Sequence, residues 1–196
     1  MEFLLPLASY AFVTSITPGP NNLMLTASGI RFGFRRSIPH ILGINAGMAL
    51  LLTLCGVGVG ALIQSLPAAA LALKLFGTGY LLYLAWLLRA NLVAGGDGEH
   101  ARPMGFFNAL LFQFANPKAW VMALTSASVL MPALDSQWLS LAVFCLVFCS
   151  INLPCISCWA LAGSGVKRFL ADPFWQRLFS GIIVLLTLYA AAAIWF

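Results

Sequence analysis

Two short stretches hold most of the groups in this chain that can bind a small polar solute: Thr17-Pro18-Gly19-Pro20-Asn21-Asn22 and Gln113-Phe114-Ala115-Asn116-Pro117-Lys118. Each lies near the middle of an apolar run long enough to cross a bilayer. Proline removes a helix donor and clashes with the preceding turn, so each stretch breaks its helix. At membrane depth, freed backbone groups persist only where protein or a water-filled cavity satisfies them. Matching breaks half a chain apart point to the binding site of a transporter.

The breaks offer complementary charges. Pro18 and Pro20 lack donors, so the carbonyls of Thr14 and Ile16 lose their helical partners. Thr17 is expected to cap the second half-helix, with Pro18 in its first turn. The amides of Gly19, Asn21 and Asn22 then form the positive end of a helix dipole. In the later stretch Asn116 is the analogous cap, Pro117 the first-turn residue, and the carbonyl of Gln113 is freed. Amides can hold a carboxylate and carbonyls an ammonium, which suits a zwitterion such as an amino acid. The plainer alternative is two kinks healed by neighbouring side chains.

Lys118 is the one clearly intramembrane charge. It lies about 20 Å by helical rise from either end of its span, too far for easy snorkelling. A cation there is a functional candidate by default. Three roles fit: binding a substrate carboxylate, exchanging a proton, or tying down freed carbonyls. His40, near the start of the second span, is the other candidate for proton coupling, although capping or facing water is the commoner use. Asn45, Asn108 and Asn152 add further polar groups at depth. Each alone is more often an interhelical hydrogen bond than a ligand contact.

Six helices must position these residues. Hydrophobic residues make up 62% of the chain and charged residues 8%, against about 25% charged in soluble domains. A hydrocarbon core needs about 20 apolar residues per helix. Spans are predicted at 3–30, 38–62, 70–93, 105–130, 138–161 and 175–195, with no room for a soluble domain. The fold class is therefore all-α integral membrane: one six-helix bundle, with helices 1 and 4 broken at Pro18/Pro20 and at Pro117. Met1-Glu2-Phe3 lacks the basic region of a signal peptide, so the first span is expected to be retained.

Eight of the ten basic residues border alternate loops: Arg31, Arg35, Arg36, Arg89, Arg102, Lys167, Arg168 and Arg177. This distribution argues against nucleic acid as the partner and for the lipid bilayer. The positive-inside rule makes those loops cytoplasmic and puts both termini outside, in the periplasm for a bacterial inner membrane.

The glycine-rich stretch Ala94-Gly95-Gly96-Asp97-Gly98-Glu99-His100 lies in the predicted cytoplasmic linker, 94–104. It divides the single domain 1–196 into halves of about 1–93 and 105–196. Three spans per half force opposite orientations, a 3+3 inverted repeat. Setting Pro18 on Pro117 aligns Leu25 with Leu124 and Thr26 with Thr125. Gly43/Gly47 and Gly56/Gly60 carry the spacing that lets helix backbones approach, within one chain or in a homodimer. Trp138, Trp175 and Trp195 lie at span ends, where indoles favour the interface, while Trp120 either packs or lines a cavity. The cysteines, including Cys155-Ile156-Ser157-Cys158, sit in apolar spans without a nearby His or carboxylate and read as packing. No metal or cofactor is expected.

Thr-Pro-Gly-Pro-Asn in the first span and Asn-Pro-Lys in the fourth resemble the paired signatures of the lysine-exporter (LysE/RhtB) family of amino-acid efflux proteins. Gly33-Phe34-Arg35, Gly43 and Gly47, and the stretch from Lys74 to Leu84 agree with it. Gln113-Phe114-Ala115-Asn116-Pro117-Lys118 and Cys158-Trp159-Ala160-Leu161-Ala162-Gly163 look most like the cysteine/O-acetylserine exporter branch. The resemblance implies six helices, an inverted repeat, and export of amino acids from the bacterial cytoplasm in exchange for protons. Some members carry an acidic residue in the second span, where this chain reads Gly43-Ile44-Asn45-Ala46-Gly47, which argues against basic substrates.

The leading expectation is a secondary exporter of small neutral amino acids, with Thr17, Pro18, Gly19, Pro20, Asn21, Asn22, Gln113, Asn116, Pro117 and Lys118 at the site. An exporter of another small zwitterionic metabolite and a passive channel are the alternatives. An enzyme is disfavoured, because Glu2, Asp97, Glu99, Asp135 and Asp172 all fall in termini or loops.

Overall fold

The computed structural model describes residues 3–58 and 102–166, with scattered helical positions in 68–86 and 174–192. The predicted third and sixth spans, the linker 94–104 and Gly60 thus fall wholly or mainly outside the described residues. Every regular element described is helical. In chain order these are α1 (Leu4–Ile16), α2 (Pro20–Phe32), α3 (Phe34–Gly56), α4 (Phe106–Ala115), α5 (Pro117–Val129) and α6 (Gln137–Val166).

The first predicted span is α1 plus α2, interrupted at residues 17–19. The fourth is α4 plus α5, interrupted at Asn116. Among the described residues only α3 and α6, at 23 and 30 residues, are long and apolar enough to cross a bilayer unbroken. They tolerate Pro39 and Pro154 without interruption. At the first break the difference is crowding by consecutive restrictions. A residue before proline is driven extended. Thr17 precedes Pro18 and takes ψ 146°, and Gly19 precedes Pro20 and takes φ −175°, ψ 177°. Two such residues in three leave no helical path until Pro20.

Two apolar cores form along α3 and α6. One gathers Leu7 and Ala11 of α1, Leu51 and Leu52 of α3, Ala119 and Ala123 of α5, and Phe144 and Phe148 of α6. The other gathers Leu25 of α2, Ile41 and Ile44 of α3, Ala109 of α4, and Ile156 and Ala160 of α6. The early part of α3 thus packs with the late part of α6, and the late part with the early, so the two run antiparallel. The same logic pairs α1 with α5 and α2 with α4. The two broken spans therefore run in opposite directions, with both breaks at the level between the cores.

Glycines set the closest approaches. A Cβ on Gly29 would strike the carbonyl of Ala160, and one on Gly163 the carbonyl of Thr26, so α2 and α6 touch backbone to backbone. Gly43 meets the carbonyl of Phe106. A Cβ on Gly47 would lie 2.5 Å from Gln113 Cγ and 2.6 Å from Leu110 O. Gly43 and Gly47 thus serve the α3–α4 contact within the chain, and a homodimer would need another surface. In lipid such contacts rest on close van der Waals packing, because apolar burial alone gives helices no reason to associate.

Candidate functional site

The two breaks face each other across a small cleft. Its lining includes Thr14, Ser15, Gly19, Pro20, Asn21 and Asn22 from the first break, and Asn116, Lys118 and Met122 from the second. Met48 of α3 and Asn152 and Ile156 of α6 complete it. The space left for water-sized occupants is about 20 Å³, room for roughly one water.

The chain closes its first break with its own side chains. Thr17 Oγ1 donates to Thr14 O at 3.0 Å. Asn22 Nδ2 donates to Ser15 O at 2.9 Å and Thr17 O at 2.7 Å. Trp159 Nε1 reaches from α6 to Ile16 O at 3.2 Å. Thr17 therefore ends α1 and does not cap α2, contrary to the sequence expectation. Gly19 takes the cap position and Pro20 the first helical one. The first intrahelical amide bond of α2 runs from Leu23 N to Gly19 O at 3.0 Å. The amides of Asn21 and Asn22 precede it, as the first-turn amides of any helix do.

The second break matches expectation more closely. Asn116 caps α5, its Oδ1 accepting from Lys118 N at 3.1 Å, and Pro117 opens the helix. The carbonyl of Gln113 is not free: it accepts from Asn116 N at 3.2 Å. Trp120 packs in the core and ties down Phe114 O at 2.9 Å. Each break thus has one indole closing a carbonyl just ahead of it.

Side chains then join the breaks to each other. Asn21 and Gln113 exchange amide bonds in both directions, at 2.8 and 3.1 Å. Lys118 Nζ donates to Thr17 O at 2.8 Å, Thr17 Oγ1 at 3.0 Å and Pro18 O at 3.2 Å. Of the three roles open to this lysine, tying down freed carbonyls is the one the geometry displays. Its stem runs across Gly19, where a Cβ would sit 2.7 Å from Lys118 Cδ.

Of the ten residues singled out at the breaks, Gly19, Pro20, Asn21, Asn22, Asn116 and Lys118 line the cleft, Thr17 and Pro18 accept from Lys118, Gln113 pairs with Asn21, and Pro117 only opens α5. His40 is not among the lining residues. It is buried in α3, and neither ring nitrogen has a hydrogen-bond partner among the described residues. Asn108 is exposed on α4 and does not line the cleft. Asn45 supports the lining indirectly, accepting from Asn152 Nδ2 at 2.8 Å. Sequence reasoning missed Ser15, Met48, Met122 and Ile156, and drew from Thr14 only its carbonyl. Small hydroxyls and apolar residues in an apolar helix carry no signal of which face turns inward. Ser15 is the most telling, because its buried Oγ has no partner among the described residues. Among the described residues no group of His, Cys, Asp or Glu could hold a metal, and the acidic Asp135 sits exposed in the loop between α5 and α6.

The chain resembles bacterial efflux proteins over nearly its full length. It is 30% identical over 195 residues to the cysteine/O-acetylserine efflux protein of Escherichia coli (strain K12), covering 96% of this chain and 95% of that one. The Salmonella choleraesuis (strain SC-B67) protein of the same name is 31% identical with the same coverage. The Klebsiella pneumoniae one is 28% identical over 186 residues, 95% of this chain and 93% of that one. No solved structure matches the chain. The LysE type translocator model matches residues 12–195. The chain therefore belongs to the LysE type translocator family, and it is a membrane translocator, not an enzyme.

Proposed function

We propose that this protein exports small neutral amino acids, of the cysteine and O-acetylserine kind, from the bacterial cytoplasm across the inner membrane. The observation that carries the reading is the meeting of the two breaks at Lys118, which puts an ammonium, helix amides and backbone carbonyls in one cleft. The names of the relatives support the substrate class. So does the cleft lining, which contains no carboxylate. A cationic side chain would be buried there unpaired, at high cost.

The 3+3 inverted repeat, with halves of about 1–93 and 105–196, is supported by the antiparallel pairing of the two broken spans and of α3 with α6. Both termini then lie in the periplasm. Proton antiport is the proposed coupling, with Lys118 as carrier and His40 as the second candidate. A cleft with room for about one water favours a carrier over a standing channel. Counterflow separates the two: unlabelled substrate on the far side stimulates a carrier and leaves a channel unchanged.

The test is export from cells overproducing the chain, with the medium analysed for every amino acid. Asn116→Ala and Lys118→Ala should each abolish export while the protein remains in the membrane. Normal export by both would move the site elsewhere. Lysine or arginine as the best-exported compound would overturn the substrate class.

A further inference from the structure

Lys118 is held in a way that describes its competitor. Its ammonium has three N–H donors and no acceptor. Three oxygens receive it: Thr17 O, Thr17 Oγ1 and Pro18 O, at 2.8, 3.0 and 3.2 Å. An amino acid's α-ammonium carries the same three donors. The oxygens belong to the extended linker between α1 and α2, where helix geometry cannot satisfy both carbonyls. Gly19 lets the lysine stem lie flat against the backbone, with Nζ 3.0 Å from where a Cβ would be. The lysine is thus seated in the cleft, and little room remains.

We propose that Thr17 O, Thr17 Oγ1 and Pro18 O form the subsite for the substrate's α-ammonium, and that Lys118 occupies it as a built-in stand-in until substrate replaces it. The inference rests on the cleft being the transport site. On entry the substrate ammonium takes the three oxygens, so their hydrogen bonding is unchanged. The displaced Lys118 ammonium is then free to meet the substrate carboxylate. Asn21 and Asn22, which sit in the first turn of α2, line the same space, and Ser15 supplies a buried hydroxyl with no partner among the described residues.

The exchange accounts for a zwitterion requirement. An amine without a carboxylate would put two ammonium ions in one cleft with no anion between them. A carboxylate without an amine would draw Lys118 away and leave Thr17 Oγ1 and Pro18 O without their donor, with Thr17 O held by Asn22 Nδ2 alone. Only a molecule with both groups leaves every partner satisfied.

Chemical rescue tests this. Lys118→Ala vacates the subsite, and n-propylammonium restores the missing atoms. The purified variant in nanodiscs should show a saturable rise in Tm with n-propylammonium, at a concentration about tenfold below any effect on the wild type, where the lysine competes. Tetramethylammonium, which has no N–H donor, should do nothing. No selective shift in the variant, or an equal shift with tetramethylammonium, overturns the stand-in. Lys118→Ser vacates the same space if the alanine variant does not survive extraction.

The wild type gives an independent reading. Cysteine should raise its Tm at concentrations where cysteamine and 3-mercaptopropionate, the two half-substrates, do not. Equal stabilisation by 3-mercaptopropionate would show that no ammonium is needed and would sink the proposal. Loss of export in Lys118→Ala without amine rescue leaves the cleft as the transport site and removes only the stand-in. Normal export by that variant removes the stand-in, and normal export by Asn116→Ala as well removes the cleft.

Discussion

The Lys118 ammonium donates to both oxygens of Thr17, a residue 101 positions earlier in the chain. The contact ties the break in one half of the chain to the break in the other. With Pro18 set on Pro117, Gly19 falls at the register position of Lys118. One half supplies the lysine, and the other supplies the bare backbone over which it lies. The two stretches are related in position and divided in labour.

The Asn21–Gln113 amide pair is a second tie between the halves. Replacing either residue with Leu should destabilise the folded protein by about 1 kcal/mol, typical of an interhelical hydrogen bond in a membrane. The double variant should cost less than the sum of the singles, because neither amide is then left unpaired. Reversible unfolding in mixed micelles measures the cycle. Additive losses would mean the pair is not coupled.

Gly163 and Gly29 let α2 and α6 approach to backbone contact. Gly163→Val should prevent stable packing, because its side chain meets the fixed carbonyl of Thr26 and no flexible group can yield. The expected result is loss of folded protein from the membrane fraction. Gly165→Val, at a position with nothing near its Cβ, should be recovered at wild-type level. Equal recovery of the two would show that the α2–α6 contact is looser than described.

Proton coupling divides between two residues. Lys118→Arg keeps the charge but cannot lose a proton in a protein. If Lys118 carries the proton, this variant binds substrate and no longer responds to a pH gradient in proteoliposomes, while His40→Gln responds normally. The opposite pattern assigns the proton to His40, whose buried ring nitrogens lack partners among the described residues. Undiminished pH-driven transport by Lys118→Arg rules Lys118 out.

Topology is checked by labelling. The proposed topology, read from the basic loops, puts residue Gly98 in the cytoplasm. A cysteine introduced there should resist an impermeant thiol reagent in intact cells and react after permeabilisation. Reaction in intact cells would invert the topology.

The amino-acid sequence by itself determined the class, the positions of the breaks and most of the residues around them. Apolar length sets the class, and proline acts on its own helix, so both effects are local. Asn116 as a cap was legible for the same reason: its bond to Lys118 N spans two residues. The tertiary structure decided what the freed carbonyls do. The sequence suggested that those of Thr14, Ile16 and Gln113 stay open for a ligand. Folding gives them to Thr17 Oγ1, Trp159 and Asn116 N. Thr17, expected as a cap, instead becomes the acceptor of an ammonium that arrives from the other half of the chain. Lys118 had three roles open in the sequence, since a side chain's partner is set by what lies across the bundle. Only the antiparallel meeting of the two broken spans brings its ammonium to Thr17 and Pro18.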